Sequence, residues 1–173
     1  MRNIKTTKVT VDSSIKADYY DLWGLLSLTH RAIIKARERE LMKCGVTVEQ
    51  ASILHIIFVL DHKPTATELS RYLIREPHSV CQTVNKMVTL GLLKKIRDSK
   101  RKNIYRFSLS DKGLAAFRCS RHRESIESII ARLSKKDRQV LISYLYTLLN
   151  AATERVGIDD RLPIPSAHLD KDL

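Results

Sequence analysis

The sequence predicts a mainly α-helical fold with one small β-hairpin, and three observations support it. Apolar residues recur at spacings of three and four along much of the chain, which is the period of an α-helix. Residues 63–109 read as two short helices followed by two strands around a polar tip. Residues 62–106 carry eleven Lys and Arg against three acidic residues, hence +8 of the chain's net charge of +12. Such a basic segment favours a polyanionic partner.

The first predicted element is a long helix over residues 15–44. It follows a basic, Thr-rich arm at residues 1–13, and the Asp-Ser-Ser sequence at 12–14 offers N-caps. Gly45 is expected to end the helix at its C′ position. A helix of this length spans about 45 Å, too long for the interior of one small domain. It therefore needs a partner surface.

Two capping boxes predict where the next helices begin. Thr47 is followed three residues later by Gln50, and Thr65 by Glu68, so each pair can satisfy free backbone donors at a helix N-terminus. The first of these helices is predicted to end near Asp61. A further helix is expected to start at Pro77, which is tolerated in the first turn, and to run to Leu90.

A β-hairpin is predicted after Gly91. Residues 92–96 and 104–109 read as two short strands, and residues 97–103 form the polar tip between them. Together with the preceding helices, these strands make residues 45–109 a predicted winged helix-turn-helix lobe.

The remaining helices are predicted to dimerise. Ser110 caps a long fifth helix, and Ser134 caps a sixth. The sixth has a wide apolar stripe, formed by Val140, Leu141, Tyr144, Leu145 and Leu148. We expect residues 14–44 and 110–152 to pack against a second copy of the chain. Residues 153–173 are expected to form a C-terminal tail.

The helix that starts at Pro77 has two chemically different faces. One face is apolar and is expected to be core, with Val80, Val84 and Met87. The other has small, amide or basic side chains that can hydrogen-bond to base edges and phosphates, as in a recognition helix in the major groove. We predict that His78, Ser79, Gln82, Thr83 and Lys86 contact double-stranded DNA. The alternative is an ordinary solvated helix face.

Several motifs resemble those of the MarR family of transcriptional regulators. They are Thr67-Glu68-Leu69-Ser70, Ser79-Val80-Cys81-Gln82-Thr83-Val84, Leu90-Gly91-Leu92-Leu93-Lys94-Lys95, Arg97-Asp98 and Leu109-Ser110-Asp111-Lys112-Gly113. The resemblance covers about residues 14 to 152. It implies a DNA-binding regulator, by family default a repressor, that binds a palindromic operator as a homodimer. The segments Glu76-Pro77-His78-Ser79-Val80 and Arg101-Lys102-Asn103 further resemble a subgroup from anaerobic, organohalide-respiring bacteria.

The hairpin tip departs from the family pattern in one respect. The family has Asp-x-Arg in the wing, with the Arg entering the minor groove, whereas this chain has Asp98-Ser99-Lys100-Arg101. Lys100, Arg101 and Lys102 are all candidates for that role, and we choose Arg101. The predicted wing contacts to DNA are Arg97, Lys100, Arg101, Lys102 and Asn103.

The resemblance also implies a small aromatic or phenolic effector. Family members often bind aromatic anions in a cleft between the dimer helices and the DNA-binding lobe. The residues that could line such a cleft are Trp23, His30, Arg31, His55 and Phe58. Aromatic residues at helical spacing are more often part of the core, so this alternative stays open.

The cysteines are predicted to be reduced and mostly buried. Cys44, Cys81 and Cys119 are odd in number, lie far apart and lack C-x-x-C spacing, so neither a disulfide framework nor a zinc knuckle is indicated. Cys81 lies on the predicted recognition helix, and a cysteine-based redox sensor is an alternative within the same fold.

The remaining function classes receive less support from the sequence. No complete metal-ligand set, cofactor motif or catalytic motif is evident, so we expect neither metal, cofactor nor enzyme activity. A basic peripheral membrane or protein-interaction adaptor is the alternative from another class. The sequence also lacks an apolar signal region and a run of about 20 apolar residues, which favours a cytoplasmic protein without membrane contact.

Overall fold

The computed structural model describes residues 19–158, so the predicted N-terminal arm and most of the predicted tail lie outside the described residues. The element order is α1 (Tyr19–Leu41), α2 (Val48–Val59), α3 (Ala66–Leu73), α4 (Pro77–Thr89), β1 (Leu93–Arg97), β2 (Tyr105–Leu109), α5 (Asp111–Ser120), α6 (Glu124–Ile130) and α7 (Lys135–Arg155). The predicted fold class, mainly α with a small hairpin wing, is confirmed.

The predicted N-termini of α2 and α3 are confirmed in atomic detail. Thr47 Oγ1 accepts from the backbone N–H of Gln50 at 3.2 Å, and Gln50 Oε1 accepts from the N–H of Thr47 at 3.1 Å. Thr65 and Glu68 make the same reciprocal pair. Each capping box depends only on residues three apart, which is why the sequence shows it.

The first helix ends slightly earlier than predicted. After Leu41 the chain tightens into a 3₁₀ turn, Met42–Cys44, which Gly45 closes with a φ of 65°. This is the left-handed conformation that a C′ glycine adopts without steric cost.

The prediction of one long fifth helix is wrong, because residues 121–123 break it into α5 and α6. The cause is a tertiary contact from α1. Arg37, which is buried, donates hydrogen bonds to the carbonyl oxygens of Ser120 and His122. Glu40 accepts from the hydroxyl of Ser125 at 2.6 Å, in the first turn of α6. These contacts satisfy the free backbone and side-chain groups at the break.

The prediction of three reduced, mostly buried cysteines is also wrong. Cys44 and Cys119 form a disulfide, with their Cα atoms 5.7 Å apart. Cys81 is free, but it is exposed on α4. The two bonded cysteines are 75 residues apart in sequence, so their pairing depends on the tertiary fold and not on a local motif.

The core lies between α2, α3, α4 and the hairpin. Its completely buried side chains include Ile53, Leu54, Leu69, Val80 and Met87. The strands pair antiparallel from Leu93↔Leu109 to Arg97↔Tyr105, and Phe107 packs inward from β2. This packing holds α4 and the hairpin against the same body.

Large apolar side chains on α1 and α7 remain exposed in the single chain. The most exposed on α1 are Tyr19, Tyr20, Trp23, Leu25 and Leu28, and on α7 they include Ile142, Tyr144, Tyr146 and Leu148. Among the described residues, no single helix is long and apolar enough to cross a membrane. Tyr19–Cys44 and Val48–Val59 meet that test only as a pair bent by 73°.

Candidate nucleic-acid interface

The turn between α3 and α4 sets the direction of α4. Ile74 ends α3 with a φ of 50°, and it is the one non-glycine residue of positive φ in the described part of the chain. The N–H of Arg75 donates to the carbonyl of Ser70 at 3.0 Å, which closes the turn. A β-branched residue rarely adopts this conformation, so the packing of α3 on α4 must impose it.

The two predicted faces of α4 are separated in the structure. Val80, Val84 and Met87 have no exposed surface. On the opposite side, His78, Gln82 and Lys86 are exposed, while Ser79 and Thr83 are half-buried. The polar side chains therefore lie on the exposed face of a helix whose opposite face is packed against the core.

Hydrogen bonds within α4 constrain three of the predicted DNA contacts. Gln82 Nε2 lies 3.0 Å from His78 Nε2. The hydroxyl of Thr83 donates to the carbonyl of Ser79 at 3.2 Å. The Gln82 amide is thus tied toward the start of the helix, and Lys86 is the exposed cation one turn further on.

Asp98 organises the turn at the wing tip. Its Oδ1 accepts from the backbone N–H groups of Lys100 and Arg101, both at 2.9 Å. Its Oδ2 accepts from Nε of Arg106 at 2.5 Å. The bond from Arg106 and the two backbone bonds lower the pKa of Asp98 to about 2. The carboxylate therefore stays charged at neutral pH, and its contribution to the turn is lost only as the pH falls toward 2.

Arg106 fastens the wing to the body of the lobe. Its Nη1 donates to the carbonyl of Lys63, within the α2–α3 connection, at 2.8 Å. The hydrogen bond to Asp98 raises the pKa of Arg106, so the guanidinium remains charged. The sequence analysis counted Arg106 only as one basic residue. Its pairing across the hairpin becomes visible only when the strand register is known.

A second contact joins the wing to α4. Lys95 Nζ donates to Oδ1 of Asn85 at 3.0 Å and lies 4.2 Å from the ring centroid of Tyr105. Sequence reasoning missed Asn85, Lys95 and Tyr105, and the spacing of ten residues between Asn85 and Lys95 gives no local signal. The contact joins the exposed face of α4 to the hairpin.

The predicted wing residues lie together on the solvent side of this framework. The side chains of Arg97, Lys100, Arg101, Lys102 and Asn103 are all exposed. Arg97 lies 5.9 Å from the ring of Tyr105, and the others occupy the tip. The positive charges thus project beyond the body on a tethered hairpin, a form that suits phosphate or groove contacts.

A cavity of about 420 Å³ lies between α1, α2 and the α5–α6 break. Its walls are mostly apolar, with several polar or basic groups. The lining includes Ile33, Ile34, Tyr72, Leu73, Phe117 and Ile126, together with Arg37, His55, Arg121 and Arg123.

Of the five residues predicted to contact an effector, His55 lines this cavity. Phe58 stacks on the lining residue Phe117, with ring centroids 4.2 Å apart. Trp23, His30 and Arg31 do not line the cavity and are exposed on α1. Between residues 19 and 158, no group of three or more His, Cys, Asp or Glu side chains could hold a metal ion.

Proteins with the same arrangement of helices and hairpin are known. Residues 46–113 match the family described as winged helix DNA-binding domain. No curated protein matches the chain. The organohalide-sensing transcriptional regulator RdhR, solved ligand-free and with 2,4-dichlorophenol, is 24% identical, with a TM-score of 0.73 over 90% of this chain and 96% of that one.

Two similar structures contain DNA. The S. aureus MepR–DNA complex is 16% identical, with a TM-score of 0.68 over 78% of this chain and 98% of that one. A mutant of the E. coli protein MarR with operator DNA is 16% identical, with a TM-score of 0.67 over 77% and 99%. The resemblance seen in the sequence is confirmed at the level of the fold: the chain has the fold of the MarR-family structures, and residues 46–113 match the winged helix family.

Proposed function

We propose that this chain, with its winged helix domain in the MarR fold, is a homodimeric transcriptional repressor. It binds a palindromic operator and is released by a small aromatic or phenolic effector. One observation carries the proposal, namely the division of α4 into a completely buried apolar face and an exposed polar face. A helix built this way can enter a groove without losing its packing on the body.

The charge distribution supports DNA as the partner. Exposed cations occur on α4 and at the wing tip, and Arg106 with Asp98 holds that tip in place. Because each neutralised phosphate releases bound counterions, such cations contribute a salt-dependent, sequence-independent part of the affinity. Gln82 and His78 supply hydrogen-bonding groups that can distinguish base pairs.

The exposed apolar side chains of α1 and α7 support a dimer. Trp23 is 67% exposed and Tyr144 is 64% exposed in the single chain. Large apolar patches on a folded chain mark interaction surfaces. A second copy that covers both helices would bury them and place two α4 helices on opposite half-sites.

The cavity supports a small aromatic effector. It has apolar walls for a ring and basic groups for a phenolate, and RdhR, which shares the fold, is known with bound 2,4-dichlorophenol. Its lining residues come from α1, α2, α3, α5 and α6, so an occupant contacts both the DNA-binding lobe and the helices that lead out of it. A ligand that binds one position of the lobe more tightly than another shifts the population of chains toward that position.

Two substitutions test the proposed DNA contacts separately. The operator is a sequence that the protein selects from a random duplex pool. Gln82→Ala should weaken binding to this operator by about 1–3 kcal/mol and leave the affinity for random DNA almost unchanged. Arg101→Ala should weaken both and flatten the log–log salt slope by about one unit per chain, hence about two for the dimer. Fluorescence anisotropy at three or more salt concentrations measures both effects.

Arg132→Ala is the matched control, since it removes an exposed cation outside the winged helix domain. It should leave the operator affinity and the slope close to those of the wild type. Equal, purely electrostatic losses from Gln82→Ala and Arg101→Ala would contradict the recognition-helix assignment. No loss from either would contradict the DNA interface altogether.

The effector proposal predicts that 2,4-dichlorophenol weakens operator binding about tenfold, within the usual range of coupling between sites. Ile126→Trp should abolish this response by placing an indole ring in the cavity, where it competes with the ring of the effector. Ile129→Trp, on the same helix but outside the cavity lining, should keep it. No response of the wild type, or equal responses of all three proteins, would contradict an effector site in this cavity.

A further inference from the structure

The Cys44–Cys119 disulfide encloses the DNA-binding domain. The bond joins the 3₁₀ turn after α1 to the last turn of α5. The winged helix domain, residues 46–113, lies entirely between the two cysteines in sequence. The bond therefore ties together the points where the chain enters and leaves this domain, while α1, α6 and α7 lie outside the closed loop.

We propose that Cys44 and Cys119 form a reversible thiol–disulfide site that sets the DNA affinity of the repressor. The proposal rests on the DNA-binding function proposed above. Oxidation fixes the lobe relative to α1, and reduction frees it to adopt more positions. Because two lobes must fit two half-sites at once, a fixed lobe loses less conformational freedom on binding. The disulfide form is thus the tighter binder.

Noncovalent contacts beside the bond keep the two cysteines close after reduction. Arg37 on α1 donates to the carbonyl of His122 at 2.6 Å, and Glu40 accepts from the hydroxyl of Ser125. These contacts join α1 to the α5–α6 break independently of sulfur chemistry. Cys44 also packs against the hydrophobic core. Reduction is therefore expected to loosen the junction without unfolding it, so that the bond can form again.

The exposure of the two residues indicates the order of the chemical steps. Cys119 is exposed and Cys44 is half-buried. An external thiolate attacks the Cys119 sulfur, breaks the S–S bond and releases the Cys44 thiolate, leaving a mixed disulfide on Cys119. A second external thiol then releases Cys119 and forms the external disulfide, so two electrons enter the protein. A small-molecule disulfide reverses both steps.

The disulfide is adjacent in sequence to one wall of the cavity. Ser120, the residue after Cys119, lines the cavity, as does Arg37. The disulfide thus lies at the junction with the lobe, and the residue that follows Cys119 lines the cavity.

The exposed Cys81 on α4 makes a matched background necessary. It is not part of the disulfide, but its oxidation would disturb the recognition helix directly. We therefore place Cys81→Ser in every protein. The protein that keeps Cys44 and Cys119 is then compared with the double variant Cys44→Ser/Cys119→Ser. Mass spectrometry after alkylation reports the state of the pair, and anisotropy on the selected operator reports affinity.

Equilibration with mixtures of reduced and oxidised glutathione should convert the pair reversibly. The oxidised form should bind the operator about tenfold more tightly than the reduced form. The double serine variant should match the reduced form at every mixture. Equal affinity of the two forms, tighter binding by the reduced form, or a bond that no mixture reduces in the folded protein would overturn the proposal. Operator binding by the double variant shows that the proposed function stands even if the switch fails.

Discussion

Gly113→Ala is expected to destabilise the winged helix domain by about 3 kcal/mol or more, in the range of severe overpacking. A Cβ atom at Gly113 would lie 2.0 Å from the carbonyl oxygen of Leu92 and 3.0 Å from its carbonyl carbon. The Leu92 oxygen accepts from the N–H of Ser110 at 3.2 Å and lies directly before β1. The contact is with backbone, so no side-chain rotation relieves it.

Urea unfolding at fixed protein concentration measures this effect. Ala115→Ser is the control, because this exposed position lies two residues further along the same helix, and the change should stay within about 0.5 kcal/mol. A Gly113→Ala protein with the stability of the control would show that α5 does not approach β1 this closely. The expected destabilisation would explain the glycine in the Leu-Ser-x-x-Gly motif as a requirement for close packing.

Leu145→Asp on α7 is expected to separate the dimer into monomers. Leu145 is 41% exposed in the single chain and lies among other exposed apolar residues of the same helix. In a two-fold dimer the substitution would bury an unpaired carboxylate on each chain. We expect the dimer dissociation constant to rise at least about a thousandfold, or roughly 4 kcal/mol, since unpaired buried charges cost several kcal/mol each.

Sedimentation equilibrium at micromolar concentration measures the assembly, and circular dichroism checks that the monomer keeps its helices. Lys135→Asp places the same carboxylate in the first turn of α7, away from the apolar stripe, and should leave the dimer intact. A Leu145→Asp protein that remains dimeric would exclude α7 from the interface. Operator affinity should fall when the dimer is lost, because the lobe of a monomer reads only one half-site.

The features that the sequence predicted correctly depend on neighbouring residues. The capping boxes at Thr47 and Thr65 need only partners three positions away, and the faces of α4 follow from helical periodicity. Resemblance to a known family supplied the order of lobe and wing. Each of these features can be recognised in the sequence without knowledge of the tertiary fold.

The features that it missed depend on residues far apart in sequence. Arg37 ends α5 from 83 residues away, and Cys119 bonds a cysteine 75 residues away. The cavity collects residues from five helices, which explains why four of the five expected effector contacts do not line it. Arg106 and Asp98 are only eight residues apart, but they meet across a hairpin whose register the sequence leaves open.

The symmetry of the DNA that the protein selects tests the central claim most directly. Duplexes selected from a random pool by the full-length protein, then footprinted, should contain an inverted repeat. Its half-site centres should be about 10 bp apart or a multiple of that, because two recognition helices related by a two-fold axis read one face of the duplex. A footprint over a single unsymmetrical half-site, or selection of no common sequence, would contradict a dimeric winged helix repressor.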